Sequence, residues 1–273
     1  MSECTHDCST CSANCSSRQN PQDLREAPHA GSHIKKVIGV VSGKGGVGKS
    51  MVTAMLAVRL AHMGKKVGIL DADITGPSIP KALGIHSRAL ADGDSLLPVT
   101  SRDGIKVMSL NLLVENETDP VVWRGPVIAG AVKQFWTDVV WGELDVLLVD
   151  MPPGTGDVPL TVFQSLPVDG IVIVTSPQQL VGMIVEKAVN MADMMGIPIL
   201  GLVENYSYFV CNECNKKHFI FGEGNVEGLA KRLNIPASAA LPIEPAVAKA
   251  GDEGLLEGYE QDWLDSIIDN FKF

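Results

Sequence analysis

Val37-Ile38-Gly39-Val40-Val41 leads into Gly43-Lys44-Gly45-Gly46-Val47-Gly48-Lys49-Ser50, and a helix-like stretch follows. An apolar run, a glycine-rich loop closing on Gly-Lys-Ser and then a helix is the order that a phosphate-binding P-loop requires. The glycines let successive backbone N–H groups turn toward phosphate oxygens, and the helix that follows adds the positive end of its dipole. In such a loop Lys49 meets the β and γ oxygens and Ser50 ligates Mg²⁺, so the chain is expected to bind a nucleoside triphosphate.

Lys44 sits directly after the first glycine, where the loop needs no lysine for its shape. It marks the deviant Walker A class, in which this lysine reaches across a dimer interface to the partner's nucleotide. A solvated loop charge is the plainer reading.

The rest of the chain is consistent with one α/β unit. At 273 residues with 45% hydrophobic content it can bury a substantial core without disulfides or a membrane. A formal net charge of −10 opposes broad electrostatic binding to nucleic acid or anionic lipid. No run approaches the roughly 20 apolar residues that span a bilayer, and no apolar segment follows a basic one near residue 1. The expectation is a cytoplasmic protein whose partners are nucleotides, metals and proteins, with neither nucleic acid nor membrane among them.

Residues 1–33 are polar and lack helical or strand period, which predicts a mobile tail unless a metal orders it. The folded domain is expected over 34–273. There, short apolar runs at 37–41, 67–70, 107–110, 146–149, 171–174 and 199–203, with a last one ending near 241, alternate with helical patterns at about 49–63, 126–140, 180–195, 225–233, 244–251 and 260–270. Short apolar runs flanked by helices predict a mostly parallel sheet covered on both faces, with ligands beyond the carboxyl ends of the strands.

Two acidic segments fall at such strand ends. Asp71-Ala72-Asp73 opens the loop Ile74-Thr75-Gly76-Pro77-Ser78, and a carboxylate there can orient an attacking water, a role assigned to Asp73. Either aspartate can instead cap a helix or form a turn. Asp150 ends the apolar stretch 144–149 and opens Met151-Pro152-Pro153-Gly154-Thr155-Gly156-Asp157. It stands at the Walker B position, where a carboxylate holds Mg²⁺, and the segment after it reads as a γ-phosphate sensor. Asp157 is as suited to capping the next helix as to touching nucleotide.

Taken in order, GKGGVGKS, DADITGPS, WRGP (123–126), DMPPGTGD, SPQ (176–178), VENYSYF (203–209) and CNEC (211–214) resemble the Mrp/ApbC family of iron–sulfur cluster carrier ATPases over about residues 35–260. The resemblance implies the P-loop fold shared with MinD, ParA and the nitrogenase iron protein, a homodimer formed around ATP, slow ATP hydrolysis, and delivery of a cluster to apo-proteins alongside cluster scaffold proteins. It gives Lys44, Lys49 and Asp73 the catalytic positions and Asp150 the Walker B position. Asn205 is placed against the adenine base, and Pro242 closes that pocket. A turn-forming asparagine is the simpler reading of Asn205.

All six cysteines lie in two clusters, a pattern that favours metal over disulfides in a cytosolic chain. Cys211 and Cys214 sit in an excursion near 206–222. Two thiolates close no Cys₄ site, so the missing pair must come from elsewhere. The family resemblance implies a twofold copy and a [4Fe–4S] cluster bridging the dimer. A zinc site completed by His218 and a redox dithiol remain open. Cys4, Cys8, Cys11 and Cys15 can complete a second Cys₄ shell within one chain, for iron–sulfur or zinc, with His6 able to replace one of them. The rival function is a MinD/ParA-type positioning ATPase, which would call for a basic amphipathic C-terminal helix. Residues 261–271 are amphipathic but acidic, which predicts that they pack on their own domain.

Overall fold

The computed structural model describes residues 25–73, 78–113, 125–154, 156–177 and 181–273. Thirteen strands occur among them: β1 (Ser32–Ile34), β2 (Val37–Val41), β3 (Val67–Asp71), β4 (Leu90–Asp92), β5 (Ser95–Leu97), β6 (Val99–Thr100), β7 (Lys106–Ser109), β8 (Gly142–Leu144), β9 (Val146–Asp150), β10 (Gly170–Thr175), β11 (Ile199–Val210), β12 (Lys217–His218) and β13 (Ser238–Pro242). The helices are α1 (Lys49–His62), α2 (Ser78–Ala82), α3 (Gly125–Thr137), α4 (Asp157–Ser165), α5 (Val181–Met195), α6 (Val226–Arg232), α7 (Pro245–Asp252) and α8 (Asp265–Ile268).

The main sheet runs β12-β11-β10-β2-β9-β3-β7-β6, with β13 also paired to β11. From β13 through β7 every pairing is parallel; β6 and β12 add antiparallel pieces at the edges. Strands β2, β3, β9 and β10 are buried at every residue, which is why they read as unbroken apolar runs and not as alternations. Their side chains feed two cores. On one face α1, α2, α7 and α8 cover Ile38, Val40, Ile69 and Leu148; on the other α3, α4, α5 and α6 cover Val41, Leu70, Leu147 and Ile173.

The order of the strands places the site. β9 lies between β2 and β3, so the loop after β2 and the acidic ends of β9 and β3 emerge side by side.

Three expectations need correction. The predicted helix over 260–270 is a single α turn, Asp265–Ile268, followed by a 3₁₀ turn, Asp269–Phe271. It does pack on its own domain: Leu264, Ile267, Ile268 and Phe271 are buried, and Arg59 holds Asp265 through two bonds of 2.7 and 2.6 Å. Helix α4 falls outside the helical patterns of the sequence, although a cap at Asp157 presupposes a helix there. Pro159 falls in its first turn, where a missing N–H costs nothing, so proline there does not break it. The packed chain also begins ahead of Ile34. Glu26 N–H donates to the Ser165 carbonyl, the Trp136 indole donates to the Glu26 carbonyl, and β1 pairs with β8.

Candidate functional site

The loop after β2 turns on Gly46 and Gly48, both at φ 76°. Gly48 is the N-cap of α1, where it makes no side-chain cap and no acidic residue follows in the first turn. The leading N–H groups of a 14-residue helix are thus left to a ligand, the arrangement that suits an anion.

Asp150 gathers the neighbouring side chains. It is fully buried, and Lys49 Nζ lies 2.8 Å from its Oδ1. Ser50 donates to Oδ2 at 2.6 Å and Thr53 to Oδ1 at 2.7 Å. The two oxygens that a Mg²⁺ ion would share, Ser50 Oγ and Asp150 Oδ2, are already adjacent, so the donor set fits a hard cation bound by oxygen. Asp73 approaches Lys49 from the other side, Oδ2 to Nζ 3.5 Å. A γ-phosphate meeting Lys49 would lie beside this carboxylate. Thr53 was missed at the sequence level, although it lies one helical turn beyond Lys49 on the same face.

Asp71 has a different part from Asp73. It is buried, accepts from Ser109 Oγ at 2.8 Å and from the Asp73 N–H at 3.1 Å. Burial first, and the nearby charge of Asp150 second, push its carboxyl well above the ordinary range, against the hydrogen bonds and Lys49. It backs the site from behind.

Asn205 closes the loop from the far side. Its amide donates to the Val47 carbonyl at 3.0 Å and its oxygen accepts from the Tyr206 N–H at 3.0 Å. Tyr206 takes φ 60°, unusual for a residue with a side chain, and β11 shifts register against β13 between Glu204 and Tyr208. A cavity of about 100 Å³ opens here between Asn205, Tyr206, Met51, Met55, Pro242 and Trp263. Its walls are mostly apolar, with the Asn205 amide and Glu244 as polar groups, a lining that suits a flat heterocycle.

The same strand β11 continues to Val210 and delivers Cys211, six residues beyond Asn205 and at most roughly 20 Å away at strand rise. Cys211, partly exposed, and Cys214, exposed, sit at the turn of the β11–β12 hairpin. The Cys211 N–H donates to the Lys216 carbonyl at 3.0 Å, and the Asn215 N–H to the Cys211 carbonyl at 2.8 Å. The Cys211 thiol is held below its ordinary range, chiefly by the N–H of Cys214, then by the N–H of Glu213 and the Cys214 thiol. His218 stands on the returning strand, with its ring within 4.8 Å of both sulfurs.

The structure therefore brings Gly43 to Ser50, Asp73, Asp150, Asn205 and Pro242 to one end of the sheet and sets Cys211 and Cys214 apart on a hairpin. Lys44 is half-buried, with its carbonyl bonded to Ser42 Oγ at 3.0 Å. Asp157 opens α4 behind Gly156 as N-cap, which corrects its reading as a cap. Cys4, Cys8, Cys11, Cys15, His6, Trp123, Gln178, Thr155 and the loop 74–77 lie outside the described residues.

Comparison with known proteins adds what geometry alone does not. The model of a ParA-type family, the NUBPL iron-transfer P-loop NTPases, matches residues 33–268. The chain belongs to that family. As a member it is a P-loop nucleoside triphosphatase of the iron-transfer group. It is 47% identical over 262 residues to the iron-sulfur cluster carrier protein of Methanocaldococcus jannaschii, covering 93% of this chain and 90% of the relative. A solved structure of the nucleotide-binding protein from Archaeoglobus fulgidus, in complex with ADP and with Co found by PIXE, is 46% identical, with TM-score 0.77 over 85% of this chain and 91% of that one. The septum site-determining protein MinD of Pyrococcus horikoshii, with Mg-ADP, is 21% identical at TM-score 0.57 over 88% of this chain and 95% of its own, a likeness of fold. The iron-transfer NTPase family and the MinD-like fold agree with the α/β P-loop class expected from the sequence.

Proposed function

We propose that this family member is an ATP-dependent carrier that binds an iron–sulfur cluster and passes it to apo-proteins. One observation carries the reading: strand β11 bears Asn205 at the nucleotide end and delivers Cys211 just past its last residue, six positions later, so one stretch of backbone ties the two sites. The strained turn at Tyr206 lies between them, where a change at the nucleotide can move the hairpin. In this reading Lys49, Ser50 and Asp150 hold ATP and Mg²⁺, and Asp73 positions water. Lys44 reaches the nucleotide of a second copy, and Pro242 closes on the base. The cluster is cargo, a [4Fe–4S] unit shared by Cys211 and Cys214 of two copies, which supply the four thiolates that one copy lacks. Hydrolysis is slow because positioning of the second copy, and not side-chain basicity, limits it. The working division is a cysteine-bearing tail over 1–33, with Cys4, Cys8, Cys11 and Cys15 as a second metal or cluster site, and an ATPase domain over 34–273 on which the last residues of the tail, from Glu26 onward, pack. Cluster scaffolds load the carrier and apo-proteins unload it, in the cytoplasm; among the described residues no helix is long and apolar enough to cross a membrane.

A positioning ATPase has less support, because the segment that would reach a membrane or DNA is acidic and buried against α1 through Arg59 and Asp265. Anaerobic reconstitution with iron and sulfide tests the carrier. The wild type should show cluster absorption and Mössbauer spectra with one hairpin cluster per dimer, and Cys211→Ala/Cys214→Ala should lose that share while a tail deletion keeps it. A double variant that holds as much cluster as the wild type and stays dimeric would sink the bridging proposal.

A further inference from the structure

The hairpin that carries the CxxC pair has two unlike faces, and its register sets which residues share them. Phe209 pairs with His218 and Val210 with Lys217. Opposed residues of an antiparallel pair project to one side, and side chains alternate along each strand. Tyr208, Val210, Lys217 and Phe219 thus share one face, where Lys217 Nζ lies 4.1 Å over the Tyr208 ring and Phe219 meets that ring edge-on at 6.5 Å. Cys211 and His218 share the other, and the turn returns Cys214 to it, so that the three donors lie within 4.8 Å of one another.

We infer that Cys211 Sγ, Cys214 Sγ and a ring nitrogen of His218 form, in each single copy, a site for one borderline divalent transition cation of the Fe²⁺, Zn²⁺ and Co²⁺ kind, with a fourth position open. The inference rests on reading Cys211 and Cys214 as cargo ligands, and it adds that one copy holds a single ion before or without a partner. Two thiolates and a neutral imidazole match a 2+ charge, and soft sulfur with imidazole rejects Mg²⁺, which the oxygen donors at Ser50 and Asp150 favour. Metal–sulfur bonds of about 2.3 Å and metal–nitrogen bonds of about 2.0 Å bring tetrahedral donors to roughly 3.5–4 Å from one another. The exposed Cys214 and His218 side chains can close that gap by rotation while the strand pairing holds the backbone. Binding releases the two thiol protons and changes no oxidation state. Three protein ligands leave the fourth position to a water or to an incoming thiolate, which suits an ion that must leave again.

Anaerobic Co²⁺ titration of the full chain tests this, with Cys211→Ser/Cys214→Ser as the reference that reports what the tail cysteines bind. The wild type should take up one more Co²⁺ per chain than the reference, with visible bands and thiolate-to-cobalt charge transfer. Zn²⁺ and Fe²⁺ should each displace it, and excess Mg²⁺ should not. His218→Ala should weaken this share by about tenfold or more, since even the loss of an outer partner costs that much, and His218→Cys should restore it. ATP binding serves as the folding control, because His218 is exposed and pairs with Phe209, four residues beyond Asn205 along β11. A His218→Ala titration matching the wild type, a share of half an ion per chain, or displacement by Mg²⁺ would each overturn the inference. Those results leave the shared cluster untouched, whereas retention of cluster by Cys211→Ala/Cys214→Ala defeats the bridge and leaves the Co²⁺ result standing.

Discussion

Replacing Gly48 by alanine tests the loop geometry at its tightest point. The residue has φ 76°, and a Cβ there would stand 2.7 Å from Tyr206 Oη and against Asn205 Nδ2. The left-handed backbone costs an L-residue about 1–2 kcal/mol. Moving Asn205 aside breaks its bond to the Val47 carbonyl, worth about 1 kcal/mol net. Gly48→Ala should therefore lose about 2–3 kcal/mol, a fall in Tm of roughly 5–10 °C for a chain of this size. Gly46 shares the φ but has open space around it, so Gly46→Ala should lose only the backbone share of about 1–2 kcal/mol. Gly45 lies outside the left-handed region with Pro153 no nearer than 3.9 Å, and Gly45→Ala should stay within about 0.5 kcal/mol. Urea and thermal unfolding without nucleotide give the three values, and a fluorescent ATP analogue gives the affinities. Gly48→Ala should also lose nucleotide affinity, because Asn205 has moved. If Gly48→Ala proved no less stable than Gly46→Ala, the clamp of Asn205 on the loop would be refuted.

Lys49→Ala should abolish nucleotide binding and hydrolysis, and should cost about 3–5 kcal/mol of stability by leaving the buried Asp150 without its cation. Lys49→Ala/Asp150→Asn should recover most of that stability but no nucleotide binding, and equal unfolding midpoints for the two variants would count against the pairing. Asp71 gives a pH prediction. Its folded carboxyl titrates above the unfolded value of about 3.9, so the native state keeps a proton that the unfolded chain releases. The stability from this group is full below that value and falls as pH rises through the folded pKa. Asp71→Asn removes the fall, so the variant should gain on the wild type as pH rises from about 4 toward neutrality, measured by urea midpoints at each pH. A difference flat in pH would contradict the raised carboxyl.

Much of the fold was legible because it is locally encoded. The seven parallel strands of the main sheet fall on the short apolar runs, which in β2, β3, β9 and β10 are unbroken because burial on both faces removes any need for alternation, and α1, α3 and α5 followed from their period. The short pieces were not legible. Strands β4, β5, β6 and β8 are two or three residues long, and their pairing depends on what the fold brings beside them. The helix expected over 260–270 kept its buried face but not its length, since Leu264, Ile267, Ile268 and Phe271 find partners in the core without a continuous helix.

The sequence by itself determined the phosphate loop, the acidic strand ends and the CxxC pair, because each is a spacing along the chain that local geometry turns into a site. The tertiary structure decided how they are used. Asp71 and Asp73 are two residues apart and look alike in sequence, yet the end of β3 buries Asp71 against Ser109 and turns Asp73 toward Lys49. Asp150 gains Lys49, Ser50 and Thr53 only because β9 lies beside β2. His218 meets the cysteines only because the hairpin register sets it opposite Phe209. Strand order and register are non-local pairings, and no spacing along one chain segment specifies which neighbour it will find.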